Sequence, residues 1–278
     1  MRSYVMISGA TGGLGKAFAV ECASRGHDLY LTDLRAEPLE TLAAALRSAY
    51  GVRVTCRACD LTEPGQRAAL FEALQGERAR FWAVVNVAGT DHEGLFCAQS
   101  REQIRTILRL NIEGGVEMTH ALLGLRDPGA TFRVINVASL AAFYPMPFKA
   151  TYAASKRFLL DFSLALREEL AGDNVTVTAL CPAGLPTTPE CLAAIAAQGW
   201  LGQITTQNIG GVAAGTLDAA LRGRAIYIPG AINRLLRVLG SLVPPAVIAR
   251  LVKGRWAAAH QSRTPPAPSV LTPAIGPA

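Results

Sequence analysis

The chain has 278 residues, half of them apolar and 17% charged. That composition excludes global disorder and supports a sizeable buried core. The formal charge of +6 is unevenly placed: Asp218 is the last acidic residue, and eight of the 27 lysines and arginines follow it. The preceding 218 residues are nearly balanced and lack the basic stripe with stacking aromatics that marks a nucleic-acid binder. No run approaches the ~20 uninterrupted apolar residues of a membrane span.

The first eight residues hold a single arginine, no long apolar h-region and no small-residue cleavage site, so they read as a strand and not as a signal peptide. Cys22, Cys56, Cys59, Cys97, Cys181 and Cys191 are too few for a disulfide scaffold in a chain of this length. Most have apolar neighbours, as buried free thiols of a cytoplasmic protein do.

In chain order, short β-branched or aliphatic runs alternate with helical spacing. Strand Tyr4–Ser8 leads through a glycine loop to helix Leu14–Ser24, and strand Leu29–Thr32 to helix Pro38–Ala49. Strand Arg53–Ala58 precedes helix Gln66–Leu74, and strand Ala83–Asn86 precedes a long helix, Arg101–Leu123. Strand Arg133–Asn136, helix Tyr152–Leu170 and strands Val175–Cys181 and Ala225–Ile228 complete the pattern. Near-continuous apolar strands separated by helices predict an α/β fold, a Rossmann-type doubly wound parallel sheet with helices on both faces. Residues 1–260 read as one domain, with 230–260 as an amphipathic helical extension. Residues 261–278 contain five prolines and read as a disordered or extended tail.

The loop Ser8-Gly9-Ala10-Thr11-Gly12-Gly13-Leu14-Gly15 joins a strand to a helix. Glycines allow close approach to a pyrophosphate, and the helix N-terminus offers unpaired N–H groups. The spacing is G-x-x-x-G-x-G. It is neither the common G-x-G-x-x-G nor a Walker loop, which would need a glycine at Ala10 and a hydroxyl at Ala17. Asp33, eighteen residues past Gly15, is placed to accept from ribose hydroxyls. Its charge would repel a 2′-phosphate and so favours NAD over NADP, with Arg35 as an opposing influence. Asp60 could hold an adenine or serve as a turn residue.

Tyr152 and Lys156 stand at i and i+4, on one helix face. A phenol with a pKa of about 10 is a poor base, and a cation about 5 Å away at a dielectric of about 20 offers roughly 3 kcal/mol toward lowering it. Y-x-x-x-K alone is a weak signal, since such pairs are common on surfaces. Ser139 after a strand, Asn86-Val87-Ala88-Gly89 closing another and Asn111 in mid-helix add to it.

Together with the N-terminal loop, these residues resemble the short-chain dehydrogenase/reductase family, in its single-domain branch, from about Val5 to Pro229. The resemblance implies that Tyr152 is the general acid/base, that Lys156 lowers its pKa and binds the nicotinamide ribose, that Ser139 binds the substrate oxygen and that Asn111 holds a relay water. It implies cofactor contacts at Ser8, Gly9, Thr11, Gly13, Leu14, Gly15, Asp33, Asp60, Leu61, Asn86, Ala88, Gly89, Tyr152, Lys156, Pro182, Leu185 and Thr187. The run Pro182-Ala183-Gly184 departs from the family's Pro-Gly, which puts the local backbone path in doubt. The family also pairs the Tyr152 helix between subunits, so Leu159, Phe162, Leu166 and Leu170 are expected as core plus interface of a homodimer or homotetramer.

The implied activity is hydride transfer between NAD(P) and an alcohol or ketone. A nucleotide-sugar epimerase or dehydratase is the alternative enzyme, opposed by the glycine spacing and the lack of a large C-terminal substrate domain. A non-catalytic dinucleotide sensor is opposed by the presence of Tyr152, Lys156 and Ser139. Phe143, Tyr144, Met146, Pro147 and Phe148 suggest a greasy pocket wall for a steroid, acyl or aromatic carbonyl, and Thr188–Gln203 suggests a mobile lid. No metal site is expected, because the four histidines are scattered and Cys56 and Cys59 would point to opposite faces of a strand.

After Pro229, Ile232, Leu235, Leu236 and Leu239 share a helical face with Arg234 and Arg237 opposite, and Val247, Ile248, Leu251 and Val252 repeat this with Arg250 and Lys253. Pro244-Pro245 separates two short helices. Their apolar faces are expected to close over the pocket or a neighbouring subunit, with membrane-surface contact as the less favoured reading.

Overall fold

The computed structural model describes residues 3–187, 189–197 and 203–261. Seven parallel strands form one sheet in the order β3-β2-β1-β4-β5-β6-β7. They are β1 (Tyr4–Ser8), β2 (Asp28–Asp33), β3 (Val54–Ala58), β4 (Phe81–Asn86), β5 (Phe132–Val137), β6 (Val175–Leu180) and β7 (Ile226–Tyr227). The helices are α1 (Gly13–Ser24), α2 (Ala36–Tyr50), α3 (Pro64–Gly76), α4 (Arg101–Leu108), α5 (Gly114–Leu123), α6 (Ala150–Glu169), α7 (Pro189–Ala197), α8 (Ile209–Leu221), α9 (Ala231–Ser241) and α10 (Pro245–Gln261).

Both faces of the sheet are covered, which is why the strands read as unbroken apolar runs. Val5, Ile7, Leu29 and Leu31 pack under α1, α2 and α8, while Met6, Tyr30, Val84 and Val134 face α3 and α5. Cys56 joins the first layer and Cys59 the second, so the two thiols do lie on opposite faces. None of the six cysteines is in a disulfide.

The chain reverses direction across the sheet between β1 and β4, where Ser8 is in register with Asn86. Ligands of open α/β sheets bind at such a switch point, at the strands' carboxyl ends.

Three expectations need correction. The helix predicted over Arg101–Leu123 is interrupted by a π-turn at Arg109–Glu113, within which Asn111 is buried. Such a turn inserts a wider loop and aims one side chain away from the regular spiral. Helix α8 was not anticipated: Gly210, Gly211 and Gly215 depress its intrinsic propensity, and packing against α1 stabilises it instead. Asn208 caps it, accepting from Gly211 N at 2.9 Å.

The third concerns α9, whose apolar side does not close over the pocket. Asn233 is the fully buried residue of this helix, whereas Leu235 is 57% exposed. No helix among the described residues is long and apolar enough to cross a membrane. The proline-rich tail lies, beyond Gln261, outside the described residues.

Candidate active site

The glycine loop folds tightly on the end of β1. Gly9 has φ +66°, and a Cβ there would come within 2.8 Å of the Ala88 backbone, so the loop and the segment after β4 meet without side chains between them. A Cβ on Gly15 would strike the Gly9 carbonyl, and one on Gly13 would press on Thr187 at 3.0 Å. Ser8 Oγ accepts from Val87 N at 3.2 Å and Ala88 N at 3.3 Å, which fastens the β4 loop to β1. The result is a backbone cradle at the start of α1, of the kind that receives a phosphate group. Leu14 is buried beneath it.

Asp33 ends β2 and turns toward this loop. Its Oδ2 accepts from both Thr11 N and Thr11 Oγ1 at 2.8 Å, and its Oδ1 accepts from Leu34 N at 2.7 Å. Asp60 behaves mainly as a turn residue: its Oδ1 accepts from Thr62 N at 2.8 Å and Thr62 Oγ1 at 2.7 Å. Leu61 beside it is buried, with its carbonyl accepting from Arg67 Nη1 at 2.7 Å.

Asn86 braces the sheet. Its Nδ2 donates to Asn136 Oδ1 at 2.8 Å and Thr119 Oγ1 at 2.9 Å, and Asn136 Nδ2 donates onward to Ser163 Oγ on α6 at 2.9 Å. Asn111 performs a similar service for the loop after β4. It accepts from Thr90 N at 2.8 Å and donates to Thr90 O at 2.9 Å and Ser155 Oγ at 3.0 Å. Both amide hydrogens are thereby used, and one lone pair of Oδ1 is left for a water. Gly89 sits between Asn111 and Lys156, where a Cβ would lie 3.1 Å and 3.2 Å from their polar atoms.

Helix α6 carries Tyr152 and Lys156 on one side, with the Lys156 ammonium 5.8 Å from the Tyr152 ring centre. Lys156 is 4% exposed, and its Nζ donates to Val137 O at 2.8 Å. Burial pulls this ammonium down to a pKa of about 8, against the upward influence of Asp91. Burial pushes the Tyr152 phenol up to about 12, although its hydrogen bond with Ser139 opposes the rise. Asp91 and Cys191 add to the rise of the phenol, so in the chain without cofactor burial is the largest influence on it. Ser139 starts a 3₁₀ turn, its Oγ accepting from Ala141 N at 3.1 Å, and that turn aims the hydroxyl at the phenol.

After β6, Pro182 O accepts from Leu140 N at 2.8 Å, tying this loop to the Ser139 segment. Leu185 O accepts from Thr187 N at 2.8 Å, and Thr187 reaches the Gly13 end of the cradle despite Ala183. Cofactor-loop and catalytic residues named from the sequence thus converge on the carboxyl edge of β1, β4, β5 and β6. Of the Thr188–Gln203 segment, Pro189–Ala197 is helix α7, and residues 188 and 198–202 lie outside the described residues.

The family model described as "short chain dehydrogenase" matches residues 3–191. The chain belongs to that family. It is similar to a very-long-chain 3-oxoacyl-CoA reductase from Laccaria bicolor, 29% identical over 63% of this chain and 52% of the relative. It is also similar to a sulfoacetaldehyde reductase from Chromohalobacter salexigens, 36% identical over 66% of this chain and 72% of that protein. Among solved structures, a short-chain dehydrogenase from Sphingobium yanoikuyae in complex with NADPH superposes with a TM-score of 0.70, at 26% identity over 96% of this chain and 98% of that one. The chain spans about half the length of the Laccaria reductase.

Beside the candidate site of this family member lies a cluster that sequence reasoning missed. Lys149 pairs with Asp91, stands 3.6 Å from Glu93 and lies 5.9 Å from the Tyr152 ring centre. Lys149 is three residues before Tyr152, a helical spacing that was the available signal. Arg67 was missed too. It is 1% exposed and pairs with Glu117 at 2.6 Å and Glu113 at 3.3 Å.

Proposed function

We propose that the protein is a nicotinamide-dependent reductase of a bulky, apolar ketone. The observation that carries this reading is Tyr152, hydrogen-bonded to Ser139 and backed by Lys156, at the carboxyl edge of the sheet beside the glycine cradle. A reduced nicotinamide, when bound, supplies the hydride. The cradle fits it, because the backbone at Gly9, Gly13 and Gly15 leaves no space for side chains and presents N–H groups. Lys156 would hold the ribose, and Thr187 would face the carboxamide.

Ser139 orients the carbonyl oxygen, and Tyr152 delivers its phenolic proton to that oxygen as the carbon gains hydride, giving the alcohol. A phenol pushed up to about 12 carries its proton throughout the neutral range, which suits reduction. Oxidation needs the phenolate and gains as pH rises. Between Ser139 and Tyr152 in the chain, Phe143 and Tyr144 meet edge to face at 6.5 Å, and we read them, with Phe148, as an apolar substrate wall. The relatives' names span acyl-CoA and sulfonated carbonyls, so the wall is what favours an acyl, steroid or aromatic ketone.

Three donors already satisfy the Asp33 carboxylate, and Arg35 stands two residues on, which softens the bias against a 2′-phosphate. The NADPH in the Sphingobium neighbour supports this reading. Accordingly we read the site as taking NADP(H) as well as NAD(H), in a cytoplasmic homodimer or homotetramer. The test follows reduced-nicotinamide absorbance with a panel of ketones, aldehydes and alcohols and both cofactors. Reduction of aromatic or long-chain ketones at neutral pH, faster than of small aldehydes or sugars, is the result expected. Turnover confined to nucleotide sugars would overturn it.

A further inference from the structure

Helix α9 is docked by its polar side. Asn233 Nδ2 donates to Pro229 O at 2.9 Å and Thr205 O at 3.1 Å. One turn on, the Arg237 guanidinium lies over the Phe143 ring, 4.9 Å from its centre. Gly240, less than a turn further, lets the helix meet Tyr144 with no room for a Cβ. The Tyr144 hydroxyl donates to Leu236 O at 2.8 Å.

The outer side of the same helix is apolar. Ile232 is 43% exposed, Leu239 51% and Leu242, just past its end, 77%. On α10, Leu251 is 68% exposed. Single exposed leucines are ordinary, but a run of them on adjacent helices marks a contact surface. The charge around the run is of one sign. Arg234, Arg250 and Lys253 flank it, and no acidic residue follows Asp218. Among the described residues Arg250 and Lys253 form no ion pair.

A second copy of the chain is a poor occupant for this face. A two-fold contact sets a patch against itself and would bring uncompensated cations together. An anionic lipid surface complements both features, taking the leucines into its headgroup boundary and the arginines and lysines to its phosphates.

We propose that α9 and α10 form an interfacial anchor that docks the protein on anionic phospholipid. At 11 and 17 residues, separated by Pro244-Pro245, the helices lie in the surface and do not cross it. Because α9 holds Tyr144 and Phe143, docking sets the apolar substrate wall beside the bilayer, where a lipid-dissolved ketone is concentrated. That last consequence rests on the proposed function; the docking itself does not.

The experiment is flotation of the full chain with vesicles of phosphatidylcholine alone and of phosphatidylcholine mixed with phosphatidylglycerol, at low and high salt. Flotation with the anionic vesicles alone is expected, and it should weaken as the Debye length shrinks from about 10 Å at 0.1 M to about 3 Å at 1 M. Leu235→Ser combined with Leu239→Ser should lower partitioning at least about tenfold while reduction of a water-soluble ketone is retained. Arg250→Glu with Lys253→Glu should abolish the preference for anionic vesicles. Absence of flotation, or a leucine variant that floats as wild type does, overturns the proposal. So does a leucine variant that floats normally but dissociates on gel filtration, which would assign the face to a subunit contact. A protein that reduces ketones yet never floats would overturn the anchor and leave the proposed reaction standing.

Discussion

Thr11 and Asp33 are joined twice at one oxygen, with the Thr11 N–H and hydroxyl both donating to Asp33 Oδ2 at 2.8 Å. The pair links the glycine loop to the end of β2 and partly offsets the charge that would face a 2′-phosphate. Thr11→Val removes one charge-assisted bond and leaves the carboxylate more strongly negative. The ratio of kcat/KM with NADPH to that with NADH should fall about tenfold, the scale of one such bond. Asp33→Ala should raise the ratio and Arg35→Ala should lower it. A ratio unmoved by all three would remove β2 from cofactor discrimination.

Lys156 predicts an alkaline gain in stability. Its folded pKa is about 8, below the ordinary 10.5, so between those values the unfolded chain binds more protons than the folded one. Stability contributed through this group therefore rises with pH across that window. Lys156→Met removes the titration while leaving Val137 O without its donor at every pH. Between pH 7 and pH 10 the wild type should gain about 2–3 kcal/mol relative to the variant in denaturant unfolding. A difference independent of pH would mean that the ammonium is not desolvated.

Arg67 predicts an asymmetry. Glu113 and Glu117 are about half exposed, while Arg67 is buried between them and Leu61. Arg67→Met leaves carboxylates that water can solvate and one carbonyl without its donor, costing about 1–3 kcal/mol. Glu117→Ala leaves a buried guanidinium short of its main partner and should cost at least as much. Equal insensitivity of thermal unfolding to both changes would contradict this.

The sheet was legible because each strand, covered on both faces, shows an apolar run bounded by polar or glycine punctuation. The positions of Tyr152, Lys156 and Asn111 along the chain were legible too, but the consequences of burying them were not. The Tyr152 phenol is raised by burial and by Asp91 and Cys191 and lowered by its Ser139 hydrogen bond, influences that meet only across the fold and that no local spacing encodes. The π-turn at Asn111 is set by its bonds to Thr90, 21 residues earlier. Lys149 and Asp91 are 58 residues apart and meet only because the loops after β4 and before α6 converge, with Gly94 N donating to Phe148 O at 2.8 Å. On α9 the amphipathic pattern was plain, but its apolar side is exposed in the single chain, so of the two expected covers, the pocket and a neighbouring subunit, the first does not hold.

The central claim, that Tyr152 is the proton donor of a carbonyl reduction, is tested most directly by Tyr152→Phe. Steady-state reduction of an aromatic ketone should be measured alongside cofactor affinity by reduced-nicotinamide fluorescence. The account predicts a fall in kcat of about 10²–10⁴-fold with cofactor binding nearly unchanged. A variant retaining more than about a tenth of wild-type kcat, with cofactor bound normally, would contradict it.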